Sequence, residues 1–125
     1  MSKIIINTNN APAPIGPYSQ AVKAANILFL SGQVALDVEG NLHTNNILEE
    51  TTQVMKNIEA LLTEAGAGFE HIVKTTIFLS DMALFAEVNE VYGSYFTANF
   101  PARETVAVKG LPKNVNVEIS VTAVL

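Results

Sequence analysis

From Asn116 to Thr122 polar and apolar residues alternate without a slip. Val117, Ile119 and Val121 fall on one side of an extended strand, and Asn116, Glu118, Ser120 and Thr122 on the other. A stretch just upstream behaves alike: Arg103, Thr105 and Ala107 share one face, and Val106 and Val108 the other. A period of two places side chains on opposite sides of a sheet and cannot give a helix a coherent apolar stripe. The C-terminal quarter is therefore two strands, with the valines expected to face the core. Pro101 suits the entry to the first strand and is expected to end a helix before it. Each strand carries one strong charge on its polar face, and the charges are opposite. Arg103 is the only arginine, the other six basic residues being lysines. Its planar guanidinium can grip a carboxylate through two parallel hydrogen bonds, which an ammonium cannot do. Alternation alone leaves two uses open for Arg103 and Glu118, a ligand-binding pair or a structural ion pair at a sheet edge.

The remaining chain supplies what such strands pack against. Lys3 to Asn7 is rich in β-branched residues and reads as a strand. Pro12, Pro14, Gly16 and Pro17 stiffen a loop that carries Tyr18 and Ser19. Gln20 to Ala24 and Asn26 to Ser31 form a hairpin turning near Ala25-Asn26, followed by Gly32, where backbone can be approached closely or a turn made. After a turn around Gly40, Asn46 and Glu49 have the spacing of a capping box. Ile47, Leu48, Val54, Met55, Ile58, Leu61 and Leu62 then recur at helical spacing, up to Gly66-Ala67-Gly68. Ile72 to Leu79 is apolar on both faces towards its end, as an interior strand would be. Ser80 or Asp81 caps a second helix bearing Met82, Phe85, Val88, Tyr92, Tyr95 and Phe96. The order β-β-β-α-β-α-β-β predicts an α+β fold: a single mixed sheet with two helices on one face, in one domain over residues 1–125. The sheet's other face needs cover, which further copies of the chain would provide.

Composition narrows the functions available. Hydrophobic residues make up 49% and charged residues 15%, so apolar surface is left over for burial between subunits. There is no cysteine, hence no disulfide, thiolate ligand or thiol nucleophile. A net charge of −5 without any basic run argues against nucleic-acid binding. Ile4-Ile5-Ile6 is too short for a signal core and no apolar run is long enough for a membrane span, which predicts a soluble, cytoplasmic protein. His43 and His71 lie apart, with no cluster at ligand spacing, so no metal is expected.

Four ordered stretches extend the reading. Gly16-Pro17-Tyr18-Ser19-Gln20-Ala21; Leu30-Ser31-Gly32-Gln33; Val73-Lys74-Thr75-Thr76 with Val88-Asn89; and Pro101-Ala102-Arg103 with Leu111 and Val117-Glu118-Ile119 together resemble the RidA family of imine/enamine deaminases. That resemblance implies a chorismate-mutase-like fold, homotrimers with clefts between neighbouring subunits, and a last strand inserted between earlier ones. It also implies cofactor-independent hydrolysis of 2-imino and enamine acids, such as 2-iminopropanoate and 2-iminobutanoate, to 2-oxo acids and ammonia. On this reading Arg103 holds the substrate carboxylate, with backbone N–H groups around Gly32 and Thr105. Glu118 acts on the attacking water, Tyr18 and Ser31 are proton partners or orienting groups, and Asn89 lies near the site. Whether Arg103 and Glu118 meet within one chain or across subunits stays open. Two positions depart from the pattern. Thr105 stands where many members carry cysteine, and Glu104 where a small residue is expected, so that Glu104 could pair with Arg103, compete for it or weaken the binding of an anionic substrate. The competing reading is a non-catalytic protein that binds 2-oxo acids through Arg103 alone; a ribonuclease-like activity fits the acidic balance least.

Overall fold

The fold is described from a computed structural model over residues 2–125. Six strands form one mixed sheet in the order β1-β2-β3-β6-β4-β5. They are β1 (Lys3–Ile6), β2 (Ala21–Ala24), β3 (Ile27–Leu30), β4 (Ile72–Leu79), β5 (Ala102–Ala107) and β6 (Val117–Val124). All neighbours are antiparallel except β4 and β5. The last strand is thus inserted between β3 and β4. Helices α1 (Ile47–Glu64) and α2 (Phe85–Gly93) pack on one face.

Local chemistry accounts for most boundaries. Asn46 caps α1 by accepting the N–H of Glu49 at 2.8 Å. The reciprocal half of the box is absent, because the Glu49 carboxylate turns to His43, 3.6 Å away. The helix stops where Gly66 adopts φ +77°, a left-handed conformation that costs glycine little. Val54, Met55, Ile58, Leu61 and Leu62 are fully buried against the sheet, each contributing roughly 1.5–3 kcal/mol of apolar burial. Leu48 lies off this stripe and is exposed, contrary to its expected place on the core face. Asp81 opens a 3-10 turn, accepting from the Ala83 N–H at 2.8 Å, and α2 follows it. That helix ends at Gly93, eight residues before Pro101, so the proline does not terminate it. Tyr95 and Phe96 lie beyond its end and pack their rings against Phe69.

Register decides which side chains meet. Residues paired across a ladder point to the same face, and successive residues alternate. Thr75 pairs with Arg103 and Val121, Ile77 with Thr105 and Ile119, Leu79 with Ala107 and Val117. Since Thr75, Ile77, Leu79 and their β6 partners are buried beneath the helices, Arg103 and Thr105 belong to the helix-covered face. Phe78 pairs with Glu118 and Val106, and these occupy the open face. The expected orientation of β5 is therefore reversed: Val106 is 42% exposed on the uncovered side, while the polar residues turn towards α2. Ile5, Phe29, Ile27 and Val124 are also exposed there, leaving an apolar sheet face without cover. No helix among the described residues is long and apolar enough to cross a membrane.

Candidate active site

The sheet separates the residues singled out above into two clusters. The first lies at the β5 edge under α2. Phe85, Asn89 and Tyr92 occupy positions i, i+4 and i+7 of that helix and so share the face turned to Arg103. Nη1 of Arg103 donates to Oδ1 of Asn89 at 2.7 Å. The guanidinium carbon stands 5.6 Å from the centre of the Phe85 ring and 5.3 Å from that of Tyr92, within cation–π range. Tyr92 is fixed in turn, its hydroxyl donating to Oγ1 of the buried Thr75 at 2.9 Å. Burial raises the Tyr92 pKa, so the phenol remains a neutral donor. Among the described residues no carboxylate comes within ion-pair distance of Arg103, which excludes an ion pair with Glu118 inside one chain. Two residues along the same face, Oγ1 of Thr105 is buried and makes no hydrogen bond.

The second cluster lies on the open face. Gly32 enters the sheet beside β6 through its neighbour Gln33, which exchanges backbone hydrogen bonds with Ile119 at 2.8 and 3.1 Å. A Cβ on Gly32 would overlap Oε2 of Glu118, so a larger residue there would push that carboxylate from its place. Burial raises the Glu118 pKa, with no cation beside it to offset the effect. Ser31 and Gln33 give their N–H groups to Gln20 and Ile119, whereas the N–H of Gly32 between them has no acceptor among the described residues. Ser31 Oγ donates to the Ser19 carbonyl at 2.5 Å and ties the Tyr18 loop to the end of β3. Tyr18 is half-exposed; its hydroxyl accepts the Ile15 N–H at 3.3 Å, and with Gln20, Gly32 and Gln33 it lines a cavity of about 40 Å³.

Sequence reasoning overlooked the partners that hold these residues. Phe85 and Tyr92 read as core residues of a helix, although their spacing with Asn89 marks one face. Gln20 went unassigned, yet it is buried and fastens the proline-rich loop. Its Oε1 accepts from the Thr8 N–H at 2.8 Å, and its Nε2 reaches the carbonyls of Thr8, Ala11 and Pro12 at 3.1, 3.3 and 2.9 Å. Glu104 corrects an expectation. It points to the open face, where Lys74 Nζ lies 2.9 Å away and Thr76 donates a hydrogen bond, and it neither pairs with Arg103 nor competes for it. The Thr76 and Lys74 bonds lower its pKa.

No group of three His, Cys, Asp or Glu side chains among the described residues is arranged to hold a metal ion. His43 instead bonds Asp37 at 2.8 Å, and His71 accepts the Gly68 N–H at 3.0 Å. A larger cavity of about 310 Å³ opens beside Phe69, Tyr95 and Phe96, but its charged residues are Glu59 and Glu70 and it suits no anion.

Fold and clusters together define a small α+β protein whose one arginine is held by side chains of α2 with no carboxylate beside it among the described residues. The family model described as Endoribonuclease L-PSP matches residues 8–125, and the chain belongs to that family, which includes proteins named RutC and Rid. It is 47% identical to a RutC family protein of Pyrococcus abyssi over 98% of each chain. It is 46% identical to the 2-iminobutanoate/2-iminopropanoate deaminase of Mus musculus, covering 99% of this chain and 95% of that one. A crystal structure of a Rid family protein from Yersinia pestis superposes with a TM-score of 0.96 at 47% identity, covering 99% and 100% of the two chains.

Proposed function

We propose that this protein hydrolyses 2-imino and enamine acids, 2-iminopropanoate and 2-iminobutanoate among them, to 2-oxo acids and ammonia without a cofactor. The observation that carries the proposal is Arg103, held by Asn89, Phe85 and Tyr92 while no carboxylate among the described residues neutralises it. The substrate carboxylate would take that place through the guanidinium edge not bound to Asn89, aided by backbone N–H groups at Gly32 and Thr105. Water then adds to C2 of the iminium as Glu118 accepts its proton. The carbinolamine collapses when that proton passes to nitrogen: the C–N bond breaks with its electron pair on nitrogen, the hydroxyl oxygen forms the C=O bond and gives its proton to Glu118, and ammonia and the 2-oxo acid leave. A carboxyl whose pKa is raised by burial is suited to taking and returning a proton in this way. Tyr18 would flank the substrate, with Ser31 orienting its loop. A relative at 46% identity bearing the deaminase name supports the reaction class.

Because Arg103 and Glu118 lie on opposite faces, two strands apart, the complete site would form between copies of the chain. The uncovered apolar face supports such an assembly, which we take to be a homotrimer. Amino-acid metabolism, where these imines arise, is the basis for placing the protein in the cytoplasm. The same separation favours one other reading, in which Arg103 alone binds 2-oxo acids and no turnover occurs. Ammonia release from freshly generated 2-iminopropanoate decides between them: acceleration over the protein-free rate is expected. Binding of 2-oxobutanoate without acceleration would leave only the binding role.

A further inference from the structure

Outside both clusters, one acidic side chain among the described residues is completely buried. Glu50 lies in the first turn of α1, and among the described residues no lysine, arginine or histidine pairs with it. Its Oε2 accepts the N–H groups of Asn116 and Val117 at 2.7 and 3.2 Å, and Oε1 accepts Nδ2 of Asn116 at 2.9 Å. Asn116 is held from the other side as well. Ser80, after the end of β4, donates its N–H to the Asn116 carbonyl at 2.9 Å and its hydroxyl to Oδ1 at 3.1 Å. All three groups facing Glu50 are donors, so an acceptor-only carboxylate fits where an alkyl group would leave them unsatisfied.

What this clamp fixes is the start of β6. The segment leading into the strand is a 3-10 turn, Pro112–Asn114, in which Lys113 and Asn114 take the left-handed region at φ 57° and 55°, and the pairing with β4 begins only at Val117, so nothing in the turn itself fixes the strand's register. Glu118 follows two residues after Asn116. Since side chains alternate, a slip of one residue at this point would turn Glu118 into the helix-covered core and Val117 out to the open face. We propose that Glu50 is the positioning residue for Glu118: through Asn116 and Val117 it sets the register that places the Glu118 carboxylate over Gly32. The role in turnover rests on the reading of Glu118 as the acid–base group; the placement itself does not.

Glu50→Ala and Glu50→Gln, assayed well below their melting temperatures, test the proposal. Glu50→Ala should lower kcat on 2-iminopropanoate by about tenfold or more with KM nearly unchanged, because Arg103 sits on the other face under α2. Glu50→Gln keeps one oxygen for the two backbone N–H groups, and the Asn116 amide can turn over to meet its NH2, so most of kcat should return. A lowered melting temperature with parental kcat in Glu50→Ala would make Glu50 merely structural and overturn the proposal. A second readout needs no turnover. Carbon-detected titration of the Glu118 carboxyl, assigned by its loss in Glu118→Gln, should give a parental midpoint above the ordinary glutamate range. That midpoint should fall in Glu50→Ala and stay raised in Glu50→Gln. If the parent hydrolyses no imine, the deaminase reading fails while this titration still decides the placement of Glu118. Should Glu50→Ala not fold, Asn116→Ala removes one donor and one Ser80 contact, and it should shift kcat and midpoint in the same directions. Parental values of both in that variant would overturn the proposal.

Discussion

Arg103 is held by side chains from one neighbouring helix, whereas Glu118 is held by backbone. Around Arg103 an amide and two aromatic rings of α2 fix the guanidinium before any ligand arrives. Around Glu118 the determinants are the absence of a Cβ at Gly32 and the register of β6. A guanidinium has many rotamers to lose, so freezing it in advance removes a cost that ligand binding would otherwise bear. If Glu118 exchanges protons, as proposed, its environment matters more than a rigid grip. The open face supplies that environment by burying Glu118 without giving it a cation. Each cluster lacks what the other offers, which is why the proposed site joins the two across copies of the chain.

The largest effect is expected at the preorganised end. Arg103→Lys keeps the charge but loses the planar fork and its stacking on Phe85 and Tyr92. Losing an oriented charge-assisted contact of this kind costs on the order of a hundredfold in rate. The side chain lies at the sheet edge and touches the core only through the ring of Tyr92, which its own hydrogen bond to Thr75 already holds, so the melting temperature should move little. A large fall in melting temperature with a nearly parental rate would show instead that Arg103 holds the fold.

Mixing two damaged variants tests whether the clusters belong to one site. Arg103→Lys and Glu118→Gln are each expected to be nearly inactive. Co-refolded in equal amounts, random assembly gives about one cross-subunit site in four with both residues intact, so about a quarter of parental activity should return. No recovery, with mixed oligomers demonstrated by native mass spectrometry, would mean that the two residues never act across subunits.

How far these features were legible in the sequence follows the same division. Local signals were sufficient for Ile72–Leu79, for the Asn46 cap and for the hairpin turn at Ala25, because each depends on neighbours within a few residues. The covered face of β5 was not legible. Alternation tells which residues share a face, but α2 decides which face is roofed, and Tyr92 reaches Thr75 across seventeen positions. The separation of Arg103 from Glu118 was equally hidden, since it depends on how β5 and β6 each register against β4. Gly32 could be singled out from its residue type alone, but its purpose could not, because the group that needs the space is Glu118.

Glu118→Gln should reveal what burial costs this carboxylate. Burial raises the Glu118 pKa in the folded state, so between the unfolded and folded values the native protein binds more protons than the unfolded chain. Stability contributed by this group is therefore full below the unfolded value and is lost as pH rises through the folded one. Replacing the carboxylate by an amide should raise the melting temperature at neutral pH. The gain should disappear below the ordinary glutamate pKa of about 4.3, where the carboxyl is protonated in both states. The parental rate should fall with acid along a limb that lies above the ordinary carboxylate range, as the base becomes protonated. A variant no more stable than the parent at pH 7 would show that desolvation does not burden Glu118.

The smallest effect is expected next to the largest in sequence. Glu104 adjoins Arg103, and its charge would weaken anion binding if the two side chains shared a face. They do not: Glu104 pairs with Thr76 across the ladder and its carboxylate meets Lys74 on the open side. Removing it leaves Lys74 without its partner, a change at an exposed pair that water and salt already screen. Glu104→Ser should therefore bind 2-oxobutanoate within about twofold of the parental affinity by calorimetry, because the screened charge lies beyond the sheet from the guanidinium. A several-fold tightening would place Glu104 within reach of the ligand. It would mean that the carboxylate faces Arg103 across a subunit boundary, and the contrast between a side-chain-held cation and a backbone-held base would then have to include a third charge.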